Sequence, residues 1–502
     1  MPTDQAFDKN LQNDPQKSIR KGFVWIGLAS TLSQIVSALT MLILMMFLSK
    51  DEIGVATLAV AIGVIFEAFN ALGTNQAVLQ DKNLTPNEMH SMFWFASLFG
   101  IAAYLLAMPM AWFFSWSYGI AALVPMILVM MLKMPIASIA AIPLQLVNRR
   151  FEFHKISILQ SVTTLACSTI KIVMAALGCG AWSLVTGEAA YALGTLFFAF
   201  YFSKYHPVLH FKWAECKRFI SYGIKICASN ALDQFTKNIH YLIVGKFLGG
   251  SFLGIYRIAY ELAMTPALAL FNVVTKSSFP IFSRLQDNRL ELSRLFAWNQ
   301  KNLALFAIVP TLAIFFCAQD VFNLIPNDEW RAAVPIIPFV LALSLIKTLL
   351  LTYPDLFRAC GKPSLPIYFQ AVEALGIALL GSAALHFIPS PYSLHGMICF
   401  WILLLLLLAI PFKKVASRFI DISLKSIFKS LSHGMLFFIV TFAISYLPYR
   451  YRAELPYADV THIFIEACII LACLWAYVRF VLRVNFIDFL KRRHKDKAAT
   501  KN

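Results

Sequence analysis

Charge is scarce in this sequence. Asp, Glu, Lys and Arg make up only 14% of its 502 residues, where a soluble globular domain carries about 25%. Long polar linkers between the apolar stretches are missing, and so is the period-two alternation of barrel strands. These absences exclude a large soluble core and a β-barrel. The nine cysteines, at 167, 179, 216, 227, 317, 360, 399, 468 and 473, never fall in CxxC spacing. Scattered through apolar runs, they read as small core residues, not as metal ligands or disulfide partners. His206 and His210 are four apart, but Pro207 interrupts any helix there, so no metal site is expected. No GxxxxGK[ST] loop, HExxH or GxSxG occurs, so the expectation is a non-enzyme without cofactor. A cleavable signal is not expected either. Residues 1–21 are polar, ending Ser18-Ile19-Arg20-Lys21, and the apolar run behind them is too long for a signal core.

What the sequence does have is apolar length. It is 59% hydrophobic with a mean hydropathy of +0.69, and a bilayer core takes about 20 apolar residues per helical crossing. Fourteen spans are predicted, at 22–49, 52–79, 91–114, 119–147, 153–177, 180–203, 219–247, 251–283, 295–318, 332–354, 364–388, 391–412, 426–447 and 460–482. The fold class is therefore an all-α polytopic membrane protein with short loops. With the N-terminus on the cytoplasmic side, 30 of the 43 Lys and Arg residues are cytoplasmic and 4 are outside (Lys50, Arg331, Arg450, Arg452). That asymmetry predicts both termini in the cytoplasm. The basic tail Lys491-Arg492-Arg493-His494-Lys495 suits anionic headgroups. Most of the +17 net charge is thus a topology signal, and no nucleic-acid partner is expected.

An internal repeat accompanies the spans. Residues 32–60 align without gaps on 232–260, an offset of 200, with 8 of 29 positions identical, including Gln34/Gln234, Phe47/Phe247, Leu48/Leu248 and Gly54/Gly254. Six spans, an even number, separate the copies, so both insert the same way round. Parallel repeats related by an axis along the membrane normal build transporters with a cavity between two lobes.

With Lys155, Lys429 and Arg479 at span ends counted as cytoplasmic, nine cations remain within or at the ends of spans: Lys133, Lys171, Lys225, Lys237, Lys246, Arg257, Lys276, Lys301 and Lys347. A charge facing lipid at bilayer depth costs at least about 2.5–3.5 kcal/mol. Lys225, Lys246, Lys276 and Lys301 sit where a long stem can snorkel to an interface. In the seventh span Lys225, Ser229, Asp233 and Lys237 recur every four residues and share one helical face. In the eighth, Arg257, Glu261, Thr265, Asn272 and Lys276 lie broadly on one side. Glu67 and Glu373 are further mid-span acids. One reading is structural pairing, Lys237 with Asp233 and Arg257 with Glu261. The other is a wet cavity with surplus cation for an anionic ligand, most simply phosphate or pyrophosphate, with Arg257 as the bidentate contact and Lys133, Lys171, Lys225, Lys237 and Lys276 as point charges. Buried acids can in addition couple transport to protons.

The stretch HYLIVGKFLGGSFLGIYR (240–257) resembles the seventh-to-eighth span junction of polysaccharide-transport flippases. So does IAYELAMTPALALFNVVTKSSFPIFSRLQDN (258–288), with its mid-helix Pro266 and closing Phe279-Pro280. In the first half FLSKDEIGVATLA (47–59), LGTNQAVLQ (72–80) and NRRFEFHKI (148–156) are similar to the same group, so the likeness covers most of 20–400. The closest subgroup looks like the colanic-acid and lipopolysaccharide O-unit exporters of Gram-negative bacteria, within the multidrug/oligosaccharidyl-lipid/polysaccharide superfamily. The resemblance implies two six-helix lobes, here 22–203 and 219–412, joined by two extra helices in 426–482 and a basic tail at 483–502. It implies a cavity that alternates its opening in the inner membrane. The implied cargo is a polyprenyl-pyrophosphate-linked oligosaccharide, made and used by neighbouring glycosyltransferases and a polymerase. Many members carry an Asp in the seventh span where this chain has His240, which leaves Asp233 or His240 itself for any coupling role. The rival readings are a cationic-drug exporter of the same superfamily, a lipid II flippase, and a membrane-embedded polymerase or glycosyltransferase. Surplus acid in the cavity would mark the first, and large outside loops with catalytic motifs the last.

Overall fold

A computed structural model of the chain describes residues 15–477 and 479, apart from 75–77, 79–80, 82–83, 151, 287, 363, 422–423 and 452–457. Among the described residues the regular structure is helical throughout, without a strand. The helices are α1 (Pro15–Phe47), α2 (Lys50–Glu67), α3 (Pro86–Tyr118), α4 (Leu123–Met131), α5 (Lys133–Arg149), α6 (Phe153–Ala176), α7 (Trp182–Ser203) and α8 (Trp213–Arg284). They continue with α9 (Arg289–Asn323), α10 (Ile337–Leu350), α11 (Thr352–Ala359), α12 (Ser364–Gly376), α13 (Ser382–Phe387), α14 (Ser393–Ala416), α15 (Leu424–Arg450) and α16 (Ala458–Ala476). Eleven helical segments among the described residues are long and apolar enough to cross a membrane.

Local chemistry sets several helix ends. Ser49 and Thr85 each close a capping box, with Glu52 at the start of α2 and Glu88 at the start of α3. Gly119, left-handed at φ 70°, ends α3. α8 has 72 residues, which as one straight rod would measure about 108 Å. Its helical dihedrals break at Gly249 (φ 81°, ψ −176°), a conformation open only to glycine. Tyr256 Oη then lies 3.1 Å from His240 Nδ1, where sixteen residues of straight helix would hold them about 24 Å apart. α8 is therefore a hairpin of two arms, as the seventh and eighth predicted spans require.

The chain forms two compact units, Met1–Glu261 with Pro363–Leu408, and Leu262–Lys362 with Ala409–Asn502. In the first unit α1 packs along α6, α6 along α7, α7 along α5, and α5 along α3, while α2 lies against α4. In the second, α9 is the central helix, with α10, α15 and α16 packed on it. Leu305, Leu312, Phe316, Phe437 and Ile470 form the buried core of that contact.

Within the first unit the sequence repeat becomes a physical contact. A Cβ on Gly54 would lie 1.9 Å from the carbonyl oxygen of Gly250, and one on Gly254 2.0 Å from that of Lys50. These are one contact repeated at an offset of 200. The hydroxyl of Ser251 donates to Asp51, and Arg257 Nη1 donates to Thr57 Oγ1 at 3.0 Å. Each bond joins a residue to its own repeat equivalent. α2 and the second arm of α8 thus cross about a local two-fold, as a parallel repeat requires. Because the opposing atom is backbone, Gly54→Ala is expected to destabilise by about 1–3 kcal/mol. Melting in detergent by light scattering or size exclusion checks this, with Gly27→Ala as the neutral control, since nothing lies within 4 Å of a Cβ there.

Candidate functional site

A cavity of about 320 Å³ lies in the first unit among α1, α6, α7 and the second arm of α8. Helical periodicity aims its wall. Thr164, Cys167, Ser168 and Lys171 recur at i, i+3, i+4 and i+7 on α6; Leu184, Glu188 and Tyr191 do so on α7; Ser37, Thr40, Met41 and Leu44 line it from α1. Arg257 and Glu261 complete it from α8.

The charges form a chain of pairs. Lys171 Nζ lies 2.7 Å from Glu188 Oε1. The other oxygen of Glu188 is 3.2 Å from Lys133 Nζ, which is 3.1 Å from Glu67. Four helices, α6, α7, α5 and α2, are tied together through one ammonium–carboxylate relay. Gly187 makes it possible: a Cβ there would come within 2.2 Å of Lys171 Cγ, so only glycine lets the lysine stem lie flat across α7. Beside this relay Arg257 Nε donates to Glu261 at 2.8 Å, while its Nη1 holds Thr57. Neither bond uses Nη2. Lys133, Lys171 and Arg257 are thus matched by Glu67, Glu188 and Glu261.

The structure gathers Lys133, Lys171, Arg257, Glu67 and Glu261 from the sequence candidates, and it adds Glu188, which sequence reasoning did not single out. Glu188 is a lone acid on its helix, and its partners lie 17 and 55 residues away. The one available signal was an acid inside the sixth predicted span, like Glu67 and Glu373 in theirs. Other candidates stand elsewhere. Lys237, more than half exposed, pairs with Asp233 at 2.6 Å, and Gln370 also donates to Asp233 at 3.2 Å. His240 is fully buried against Tyr241, Tyr256, Tyr260 and Trp401. Trp401 in turn donates to Glu373 at 3.2 Å. Lys225 is exposed, and the side chain of Lys276 lies outside the described residues. Beyond the spans, the Ser91 hydroxyl donates to Glu215 at 2.6 Å. That bond, aided by His210, holds the Glu215 carboxyl below its usual range.

Apolar helices of bilayer length around a polar, charge-lined cavity define a multi-pass α-helical membrane protein. The profile of the family described as "Polysaccharide biosynthesis protein" matches residues 43–335. The chain belongs to that family. It is 22% identical to the teichuronic acid biosynthesis protein TuaB of Bacillus subtilis (strain 168), over 72% of this chain and 75% of that one. It is 21% identical to the lipopolysaccharide biosynthesis protein WzxC of Escherichia coli (strain K12), over 65% of this chain and 67% of that one. Among solved structures, the lipid II flippase MurJ in an inward closed conformation is similar at a TM-score of 0.69 and 13% identity, over 91% of this chain and all of that one. A multidrug resistance MATE family transporter in an inward-facing conformation is similar at 0.52 and 11%, over 78% and 95%. At these identities the likeness to solved structures is one of fold.

Proposed function

We propose that this protein moves a polyprenyl-pyrophosphate-linked oligosaccharide from the cytoplasmic to the periplasmic leaflet of the inner membrane, by alternating access, for surface-polysaccharide synthesis. Membership of the polysaccharide biosynthesis family supports the cargo class. The observation that carries the mechanism is the cavity at which Arg257 and Lys171 meet, each neutralised by a carboxylate it can exchange. A buried unpaired charge costs several kcal/mol, so an empty site has to be neutral. An arriving pyrophosphate replaces Glu261 at the guanidinium and Glu188 at the ammonium, trading carboxylate for phosphate. The Arg fork suits two phosphate oxygens at once. The prenyl tail stays in lipid. Residues 22–203 and 219–412 serve as the two lobes, both termini face the cytoplasm, and Lys237, Lys225 and Lys276 supply positive charge along the route. Glu67, with Lys133, fixes the relay in place. A polymerase and glycosyltransferases act before and after transfer.

Glu188 and Glu261 in the cavity bring in one rival, a cationic cargo, although the acids there match the cations and are not in surplus. A deletion strain separates the two. Loss of surface polymer with accumulation of the undecorated lipid-linked repeat unit is the expected result. Unchanged polymer with heightened sensitivity to cationic drugs would establish the rival instead.

A further inference from the structure

The second unit holds a set of titratable side chains that the cavity does not use. Asp320 on α9 is 1% exposed, and His462 and Glu466 on α16 are 0% exposed. His462 Nδ1 lies 2.6 Å from Asp320 Oδ2, and its Nε2 is 3.5 Å from Glu466 Oε1. The imidazole therefore stands between two carboxyl groups, committed at hydrogen-bond length to one and only near the other. Both Glu466 oxygens are buried without a hydrogen bond, and so is Ser445 Oγ, which faces them from α15. Cys317 of α9 also faces both acids. Tyr449 of α15 has its ring 6.1 Å from the imidazole, and Asp459 is held by Asn323 at 2.9 Å at the start of α16. Leu305, Leu312, Phe316, Phe437 and Ile470 are the apolar core of the same α9, α15 and α16 contact.

We propose that Glu466 is a proton-binding site, its proton shared with the His462–Asp320 pair, built where α15 and α16 dock on α9. An ionised Glu466 here would be a fully buried carboxylate with only the Ser445 hydroxyl and an imidazole nitrogen at 3.5 Å beside it and a second acid close by, and such a charge costs several kcal/mol. One proton removes it, and Asp320 keeps its bond to the imidazole. Glu466 and the His462–Asp320 pair stand side by side, so the proton belongs to the cluster. Loss of the proton places a charge in the packed seam, so docking of α15 and α16 is tied to protonation. None of Asp320, His462 and Glu466 lines the cavity, so the site does not rest on the cargo proposed above.

Infrared titration of the full chain in lipid nanodiscs tests this. The expected spectrum at neutral pH contains the carbonyl stretch of a protonated carboxylic acid. That band shifts when glutamate is labelled with ¹³C at its side-chain carboxyl, moves in His462→Gln, and is lost in Glu466→Gln. Gln reproduces the shape of the protonated acid, so this variant is expected to fold; should it fail to, the isotope shift and the His462→Gln response decide on their own. Absence of a labelled band at neutral pH, or its persistence in folded Glu466→Gln, overturns the assignment. Erasure of the band by sodium at constant pH also overturns it, and makes the site one for a metal cation.

Discussion

Arg257→Glu is expected to abolish surface polysaccharide without abolishing insertion of the protein into the membrane. The substitution removes the guanidinium that holds Thr57 and Glu261 and places a third carboxylate on a wall that already has Glu188 and Glu261. Hydrogen bonds to charged groups contribute about 1.5–3 kcal/mol each, so losing a bidentate phosphate contact slows transfer by about a hundredfold or more. Arg257→Lys keeps the charge and loses the fork; about a tenfold reduction is expected there. Polymer quantified on intact cells, normalised to the variant's level in the membrane fraction, measures both. Normal polymer in the Arg257→Glu strain would remove Arg257 from the transport site.

The second large effect is on stability. Glu188 is the carboxylate to which both Lys133 and Lys171 are paired. Glu188→Ala leaves Lys171 without that partner in a largely buried position, and breaking a buried pair from one side costs about 3–5 kcal/mol. Cavity water puts the expected loss toward the lower end, about 3 kcal/mol. Replacing both partners, Glu188→Met with Lys171→Met, is expected to recover more than half of it, since no charge is then stranded and Lys133 keeps Glu67. Thermal melting in detergent, read by size exclusion, compares the three proteins. Equal melting of wild type and Glu188→Ala would show that the relay does not hold the helices.

Much of this was legible because it is local or periodic. Apolar length marked helices that are long and apolar enough to cross a membrane. The i, i+4 pairs Arg257–Glu261 and Lys237–Asp233 could be read from spacing alone and are formed. The repeat was visible as identities such as Gly54/Gly254, and its cause is now physical. Those glycines are where two equivalent helices touch backbone to backbone. The same equivalence locates the asymmetry of the site: the offset of 200 puts Thr57 opposite Arg257, Ala61 opposite Glu261 and Ser37 opposite Lys237. Small neutral residues stand in the first copy where the second carries charge. Glu188 was not legible, since nothing within a turn or two of it on α7 is its partner. The Asp320–His462 pair spans 142 residues and escaped for the same reason. Helical periodicity tells which residues share a face, but not which face of which other helix they will meet.

Passage of a pyrophosphate-linked glycan through the cavity is the expected activity. Its most direct test is purified protein in liposomes carrying a fluorescent polyprenyl-pyrophosphate oligosaccharide. The glycan exposed at the outer leaflet is followed with an impermeant glycosidase. Wild type is expected to make the inner-leaflet pool accessible, Arg257→Glu to leave it protected as in protein-free liposomes, and the same glycan on a prenyl monoalcohol to move far more slowly. Equal accessibility with wild type, Arg257→Glu and empty liposomes would contradict it.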